Sequence, residues 1–154
     1  MKKKKALYKI PSDSLIFKTE VVCPNDTNPM DILKGGRLVE WMDIAAAVSA
    51  QTHAEKICVT ASINHVDFNA PAYIGDIISI DAKMTRAFST SMEILVQAFA
   101  HNVIEGKKYL ISKAYFTFVA LDDNKKKTQV ISLLPKTSLE KDQFAAALLR
   151  KKII

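Results

Sequence analysis

Gly35-Gly36-Arg37-Leu38-Val39-Glu40-Trp41-Met42-Asp43, continuing into Ile44-Ala45-Ala46-Ala47, reads as the opening of a helix that carries a carboxylate along an otherwise apolar face. Between Leu38 and Ala54 only Glu40 and Asp43 are charged, and helical spacing aligns Asp43 with Val39, Ala47 and Ala50, a stripe expected to face a core or cleft. An unpaired carboxylate is costly to bury, so such a residue has partners, takes up a proton, or lines a solvated pocket where a base is useful. The alternative is an aspartate tied to a neighbouring strand, with no chemistry of its own.

Outward from this helix, predicted from Gly35 to about Ala54, the chain reads mostly as strand. Leu15 to Cys23 alternates as a first strand, and Pro24 to Lys34, with its Pro, Asn and Asp content, reads as an irregular loop. Four segments rich in Val, Ile, Phe and Thr follow the helix: Ile57 to Phe68, Ile77 to Arg86, Ser91 to Val103 and Tyr109 to Leu121. Their short, turn-like connections predict an antiparallel meander that joins the first strand in one twisted sheet, with the apolar helix across one face. Ser138 to Lys152, with Leu139, Phe144, Ala147 and Leu148, reads as a second amphipathic helix. The fold class is α+β: a basic tail at 1–14, a single domain at 15–135 and a C-terminal helix at 136–154.

The net charge of +6 (22 − 16) is concentrated in Lys2 to Lys5, Lys125 to Lys127 and Arg150 to Lys152, clusters read as solvated ends and a turn. No aromatic residue interleaves them as a stacking platform requires, so no nucleic-acid partner is expected. The N-terminal lysines lead into Ala6-Leu7-Tyr8-Lys9-Ile10-Pro11, which lacks the apolar core of a secretion signal, and no later run is long enough to span a bilayer. A cytoplasmic protein without a membrane partner is expected. Cys23 and Cys58 make no disulfide framework and have no metal-ligand spacing; both read as small buried hydrophobes. His53, His65 and His101 lie on separate elements, with His53 read as a favourable charge or cap at the helix end. No metal cluster, phosphate loop or nucleophile elbow is present, and the methionines and phenylalanines are assigned to the core by default.

The motifs now resemble a known family. Asp26-Thr27-Asn28, then Gly35-Gly36, then Trp41-Met42-Asp43 resemble the active-site signature of the hotdog-fold acyl-CoA thioesterases of the YciA and brain acyl-CoA hydrolase type. Thr60-Ala61-Ser62, Phe68-Asn69-Ala70-Pro71 with Gly75-Asp76, Thr90-Ser91-Met92-Glu93, and Phe116 to Leu121 continue the resemblance in order. The chain departs from it at Lys34, where the family usually has an aromatic residue or histidine, and at Phe88-Ser89, where it has a glycine. The resemblance implies a hotdog fold, in which an antiparallel sheet wraps a long central helix, and hydrolysis of the acyl-CoA thioester. It also implies that Gly35 or Gly36 polarises the carbonyl, that Asn28 holds the water or the carbonyl, and that subunits assemble as a dimer, commonly as a trimer of dimers.

The residues support that chemistry on their own terms. Thioester hydrolysis needs an activated water, or a nucleophile, and donors aimed at the developing oxyanion; Asp43 can be the base or the nucleophile. Backbone N–H groups at the glycine-led helix start can be the donors. Gly35 and Asp43 are eight positions apart, roughly 12 Å along a helix axis, so one carbonyl cannot touch both unless they come from different subunits. Arg86, Ser89, Thr90 and Ser91, at a strand-turn boundary, are candidate partners for the pantetheine or nucleotide of coenzyme A. Coenzyme A enters only as part of substrate and product, so no cofactor and no metal is expected. A hotdog dehydratase is disfavoured because no histidine lies between Asn28 and Asp43. The rival from another class is a non-catalytic acyl-CoA-binding or regulatory module.

Overall fold

The computed structural model describes residues 7–153, so Lys2 to Lys5 lie outside the described residues. Helix α1 runs from Gly35 to Ala54, as the sequence predicts. It ends where Glu55 turns left-handed (φ 54°, ψ 36°) and returns its N–H to the Gln51 carbonyl at 2.8 Å. Two further carbonyls of the last turn, those of Thr52 and His53, accept from the Lys9 ammonium at 3.0 Å each. The buried side of α1 carries Leu38, Trp41 and Met42 at one end and Ala45, Ala46, Ser49 and Ala50 in the middle. Small residues there let the helix lie close to the sheet.

That sheet has five antiparallel strands: β2 (Ile16–Val21), β3 (Ile57–Phe68), β4 (Ile77–Ala87), β5 (Ser91–Asn102) and β6 (Lys107–Leu121). Its inner face presents the fully buried Ile78, Ile80, Met84, Ile94, Val96, Phe116 and Phe118 to α1. Two-residue strands β1 (Tyr8–Lys9) and β7 (Ser132–Leu133) pair in parallel. The meander expectation needs one correction. The order is β2-β4-β5-β6-β3, so β3 and β4, although consecutive, are not neighbours. The eight residues 69–76 can span about 26 Å when extended, more than the roughly 14 Å across three strand spacings. They are held on the way by Leu33 N–H to the Ala72 carbonyl (2.8 Å) and Val22 N–H to the Asp76 carbonyl (3.0 Å).

Helix α2 (Ser138–Ile153) packs on the outer face of β4 through charged side chains as well as apolar ones. Glu93, 6% exposed, receives Arg150 at both oxygens (3.0 and 2.6 Å) and the Thr85 hydroxyl at 2.7 Å. Lys83 pairs with the buried Glu140 at 2.9 Å. Arg150, read from sequence as part of a solvated terminal cluster, is therefore a clamp, whereas Lys125 to Lys127 are exposed as expected. Leu139 is not on the buried side of α2, and Phe17, Phe68 and Met30 are exposed rather than core.

His53 is also corrected. It is fully buried at the end of α1, with its Nε2 2.7 Å from the Ile131 carbonyl and its Nδ1 unpartnered among the described residues. Burial holds its pKa below the ordinary 6.5, against the opposing pull of the Ile131 carbonyl; Lys9 lowers it further and Asp13 raises it. Neutral imidazole is thus favoured in the fold, and His53 is not the cation at the helix end; Lys9 is. The unfolded chain takes up a proton near pH 6.5 and the folded chain only at lower pH, so the unfolded state binds more protons in that window. Stability therefore falls as pH drops through 6.5. Urea midpoints are expected to decrease from pH 7.5 to about pH 5.5 in the native protein, and His53→Gln is expected to flatten most of that slope.

Candidate active site

Asp43 lies on the flank of α1, half-buried, between the core-facing Met42 and Ala46 and the exposed Ile44 and Val48. Of the stripe predicted to face the core, Val39, Asp43 and Ala47 are half-buried and Ala50 alone is fully buried. The stripe is tilted toward an open edge because Trp41, Met42, Ala45 and Ala46 occupy the sheet-facing side. Thr60 on β3 donates its hydroxyl to Asp43 Oδ1 at 2.7 Å. Thr60 is opposite Phe118 in the ladder, and residues opposite each other in an antiparallel pair share a face, so its register turns the hydroxyl toward α1. Among the described residues Asp43 Oδ2 has no protein partner. Thr60 belongs to the Thr60-Ala61-Ser62 motif but carries no role that sequence alone assigns; its one signal there is a hydroxyl on the strand that leaves the helix.

The loop before α1 is latched to the first helical turn. Asp26, 5% exposed, accepts the Cys23 N–H (2.9 Å) through one carboxylate oxygen and Arg37 Nε (2.9 Å) through the other. The Cys23 amide holds the Asp26 carboxyl below its usual pKa, against burial and with help from Arg37. Inside this loop Asn28 Oδ1 accepts the N–H groups of Met30 (2.9 Å) and Ile32 (3.2 Å). Two backbone donors need an oxygen, which fixes the amide orientation and leaves the Asn28 NH₂ as a donor.

Gly35 and Gly36 begin α1, as expected, with Lys34 in an extended conformation before them. The first intrahelical bond is Leu38 N–H to the Lys34 carbonyl at 3.1 Å, so the N–H groups of Gly35, Gly36 and Arg37 precede the ladder. Beside Gly35 opens a cleft of about 360 Å³ lined by Ile32, Leu33, Leu38, Phe68, Ala70 and Ala72. A Cβ on Gly35 would sit 3.0 Å from Phe68 Cζ, tighter than most real contacts, so any larger residue there would ask the exposed ring to give way by a few tenths of an ångström; Gly36 faces open space. Both Gly35 and Asp43 lie on α1, about 12 Å apart along its axis, and one chain does not bring them to one point.

Arg86, Ser89, Thr90 and Ser91 are not gathered into one site. Arg86 is engaged: it donates to the Phe144 carbonyl at 3.0 Å and lies 3.9 Å from that ring's centre, holding α2. Ser89 and Thr90 form the β4–β5 turn, where their carbonyls accept the N–H groups of Val130 (2.8 Å) and Ala120 (3.1 Å). Ser91 lines a separate cleft with Ser62, Asn64, Phe88 and Lys151. Cys23 is exposed, against expectation, while Cys58 is buried and its thiol pKa pushed up to about 11. Among the described residues no cluster of His, Cys, Asp or Glu could hold a metal, and no helix is long and apolar enough to cross a membrane.

A long helix wrapped by an antiparallel sheet, with a threonine-held aspartate on its flank and a glycine-led start beside an apolar cleft, defines a hotdog domain with a hydrolase-like site. Residues 30–106 match the thioesterase superfamily, and the chain belongs to it. It is 35% identical to an uncharacterised acyl-CoA thioester hydrolase of Bacillus subtilis, over 83% of this chain and 74% of that protein. It is 36% identical to mouse acetyl-coenzyme A thioesterase over 90% of this chain, and spans only about a quarter of that protein's length (25%). Among solved structures it is similar to an acyl-CoA hydrolase from Staphylococcus aureus bound to butyryl coenzyme A, coenzyme A and coenzyme A disulfide (TM-score 0.88, 37% identity, 94% of this chain and 88% of that one). The same hydrolase has been solved with alanine at aspartate 43, asparagine 28 and threonine 60; this chain has those residue types at those numbers. A hexameric acyl-CoA thioesterase is equally similar in shape (TM-score 0.91, 33% identity, 94% and 93% covered).

The latch on the loop can be tested apart from activity. Asp26→Ala leaves the Cys23 N–H without its acceptor, and the expected cost is about 1–3 kcal/mol in urea denaturation, with faster amide exchange across residues 27–34. Unchanged exchange there would show that the Asn28 turn holds itself.

Proposed function

We propose that this protein hydrolyses the thioester of acyl-CoA, adding water to yield a free carboxylic acid and coenzyme A. The observation that carries the reading is the Thr60–Asp43 hydrogen bond at the open edge of α1, which fixes one carboxylate oxygen and leaves the other free for a water or a carbonyl carbon. Asp43 serves as general base or as nucleophile. The amides of Gly35 and Gly36, at the positive end of the α1 dipole, stabilise charge developing on the carbonyl oxygen. The NH₂ of Asn28, left over once Oδ1 has taken the two backbone N–H groups, is a donor, which suits it to hold that carbonyl or the water. No cofactor enters this reaction, since coenzyme A is part of the substrate.

In this reading the site is shared between two chains. The roughly 12 Å separation of Gly35 from Asp43 argues for it. So does an exposed apolar patch beside Asp43: Ile44 and Val48 of α1, with Ile63 on the edge strand β3, which is opposite the inward-facing Phe116. A second copy covering that face would bring the Asn28 loop and glycines of one chain to Asp43 of the other. A dimer is the unit of activity, and a trimer of dimers is supported by the hexameric relative. The unpaired cysteines accord with a cytoplasmic site of action.

Thiol release from a series of acyl-CoA thioesters tests the activity and separates it from an acyl-CoA-binding module, which would bind without turnover. Asp43→Ala is expected to lower turnover by about two orders of magnitude or more while leaving assembly intact. Retention of more than about a tenth of native activity would make Asp43 structural. The shared site has its own test. Co-refolded Asn28→Ala and Asp43→Ala subunits in equal amounts would form half heterodimers with one intact site each, giving about a quarter of native activity. Activity no higher than either variant alone, with subunit exchange verified by mass spectrometry, would sink the shared site.

A further inference from the structure

The cleft beside Gly35 has a wall the reaction does not explain. Its floor is made of the buried Leu33, Leu38 and Ala72, and two backbone segments are pinned together beneath it by the Leu33 N–H bond to the Ala72 carbonyl at 2.8 Å and the Ile32–Tyr73 bridge. The Tyr109 hydroxyl braces the same connector through the Pro71 carbonyl at 2.8 Å. The rim is different. Phe68 ends β3 with its ring 57% exposed, and three ring atoms lie 3.0 to 3.6 Å from the point where a Cβ on Gly35 would be. Core packing does not account for an aromatic edge held there.

We infer that Phe68 sets which acyl groups the site accepts, by limiting bulk on the carbons next to the thioester carbonyl. The inference rests on the proposed hydrolysis and goes beyond it by naming a substrate property. A carbonyl oxygen bound by the α1 N-terminus lies about 3 Å from the Gly35 or Gly36 amide. From there the first two or three acyl carbons meet the Phe68 ring before the remainder enters the cleft, whose lining side chains are all apolar. The favoured substrate class is accordingly an unsubstituted, straight-chain acyl group. A branch near the carbonyl collides with the ring edge, while added length further along does not.

The experiment compares kcat/KM for butyryl-CoA, hexanoyl-CoA and 3-methylbutanoyl-CoA in the native protein, Phe68→Ala and Phe68→Leu. Ratios between substrates are insensitive to the amount of active enzyme, so a small loss of stability does not mimic the effect. Phe68→Ala is expected to raise the branched-to-straight ratio (3-methylbutanoyl over butyryl) about tenfold or more, with Phe68→Leu between, and to change the hexanoyl-to-butyryl ratio by less than about threefold. Phe17→Ala, an exposed aromatic on β2, is the control and leaves both ratios unchanged. If the native protein hydrolyses the straight thioesters and the branched-to-straight ratio is unmoved in both Phe68 variants, the role of Phe68 is wrong and the activity stands. Loss of all turnover in both variants would overturn the specificity role as well. If the native protein releases no thiol from any of the three, it is the proposed function that fails.

Discussion

The close approach of α1 to the concave face of the sheet governs the rest of the structure. Small residues on the helix, Ala45, Ala46, Ser49 and Ala50, oppose large ones on the strands, among them Met84, Ile94, Phe116 and Phe118. A helix so deeply seated has only its two ends and one flank left for anything besides packing. The N-terminal end opens beside an apolar cleft, the C-terminal end is closed by Lys9 and Glu55, and the flank carries Asp43.

Carboxylates are used in two distinct ways around this frame. Asp26, Glu93 and Glu140 are buried, and each meets a cation, Arg37, Arg150 and Lys83 in turn; removing either partner would strand a charge. They fasten a loop or a helix. Asp43 meets a hydroxyl instead, so its position is fixed without a cation to neutralise it. That contrast sets Asp43 apart from these three, while the buried Asp76, which also meets no cation, is taken up by the Tyr73 N–H at 2.9 Å.

Helix α1 was legible in the sequence from Gly35 to about Ala54, because a glycine pair opens it and an apolar period carries it on. The strands were legible to within a few residues for the same reason. Their order was not, since local pattern records that residues 69–76 are irregular but not that they cross the sheet. Asp43 could be singled out from helical spacing and the glycines as a helix start, while Asn28 stood out through the family motif it resembles; the contact of Thr60 with Asp43 becomes visible only through register against Phe118. Arg150 was misread because sequence shows a cation but not the carboxylate already holding it. His53 and Leu139 went wrong at helix ends, where a one-turn difference decides between core and solvent.

The cap that Lys9 places on the end of α1 has a consequence for the order of events in folding. Lys9 is registered there by pairing with Leu133, so completing the helix terminus requires residues separated by most of the chain to meet. Contacts of such long sequence separation form late and slow the search for the native state. During synthesis the hairpins of β4, β5 and β6 can form from neighbouring residues while the helix end is still open. Closure of the fold then waits for Ser132 and Leu133 to emerge, which makes this clasp one of the final steps and the barrel-like wrap around α1 an earlier one.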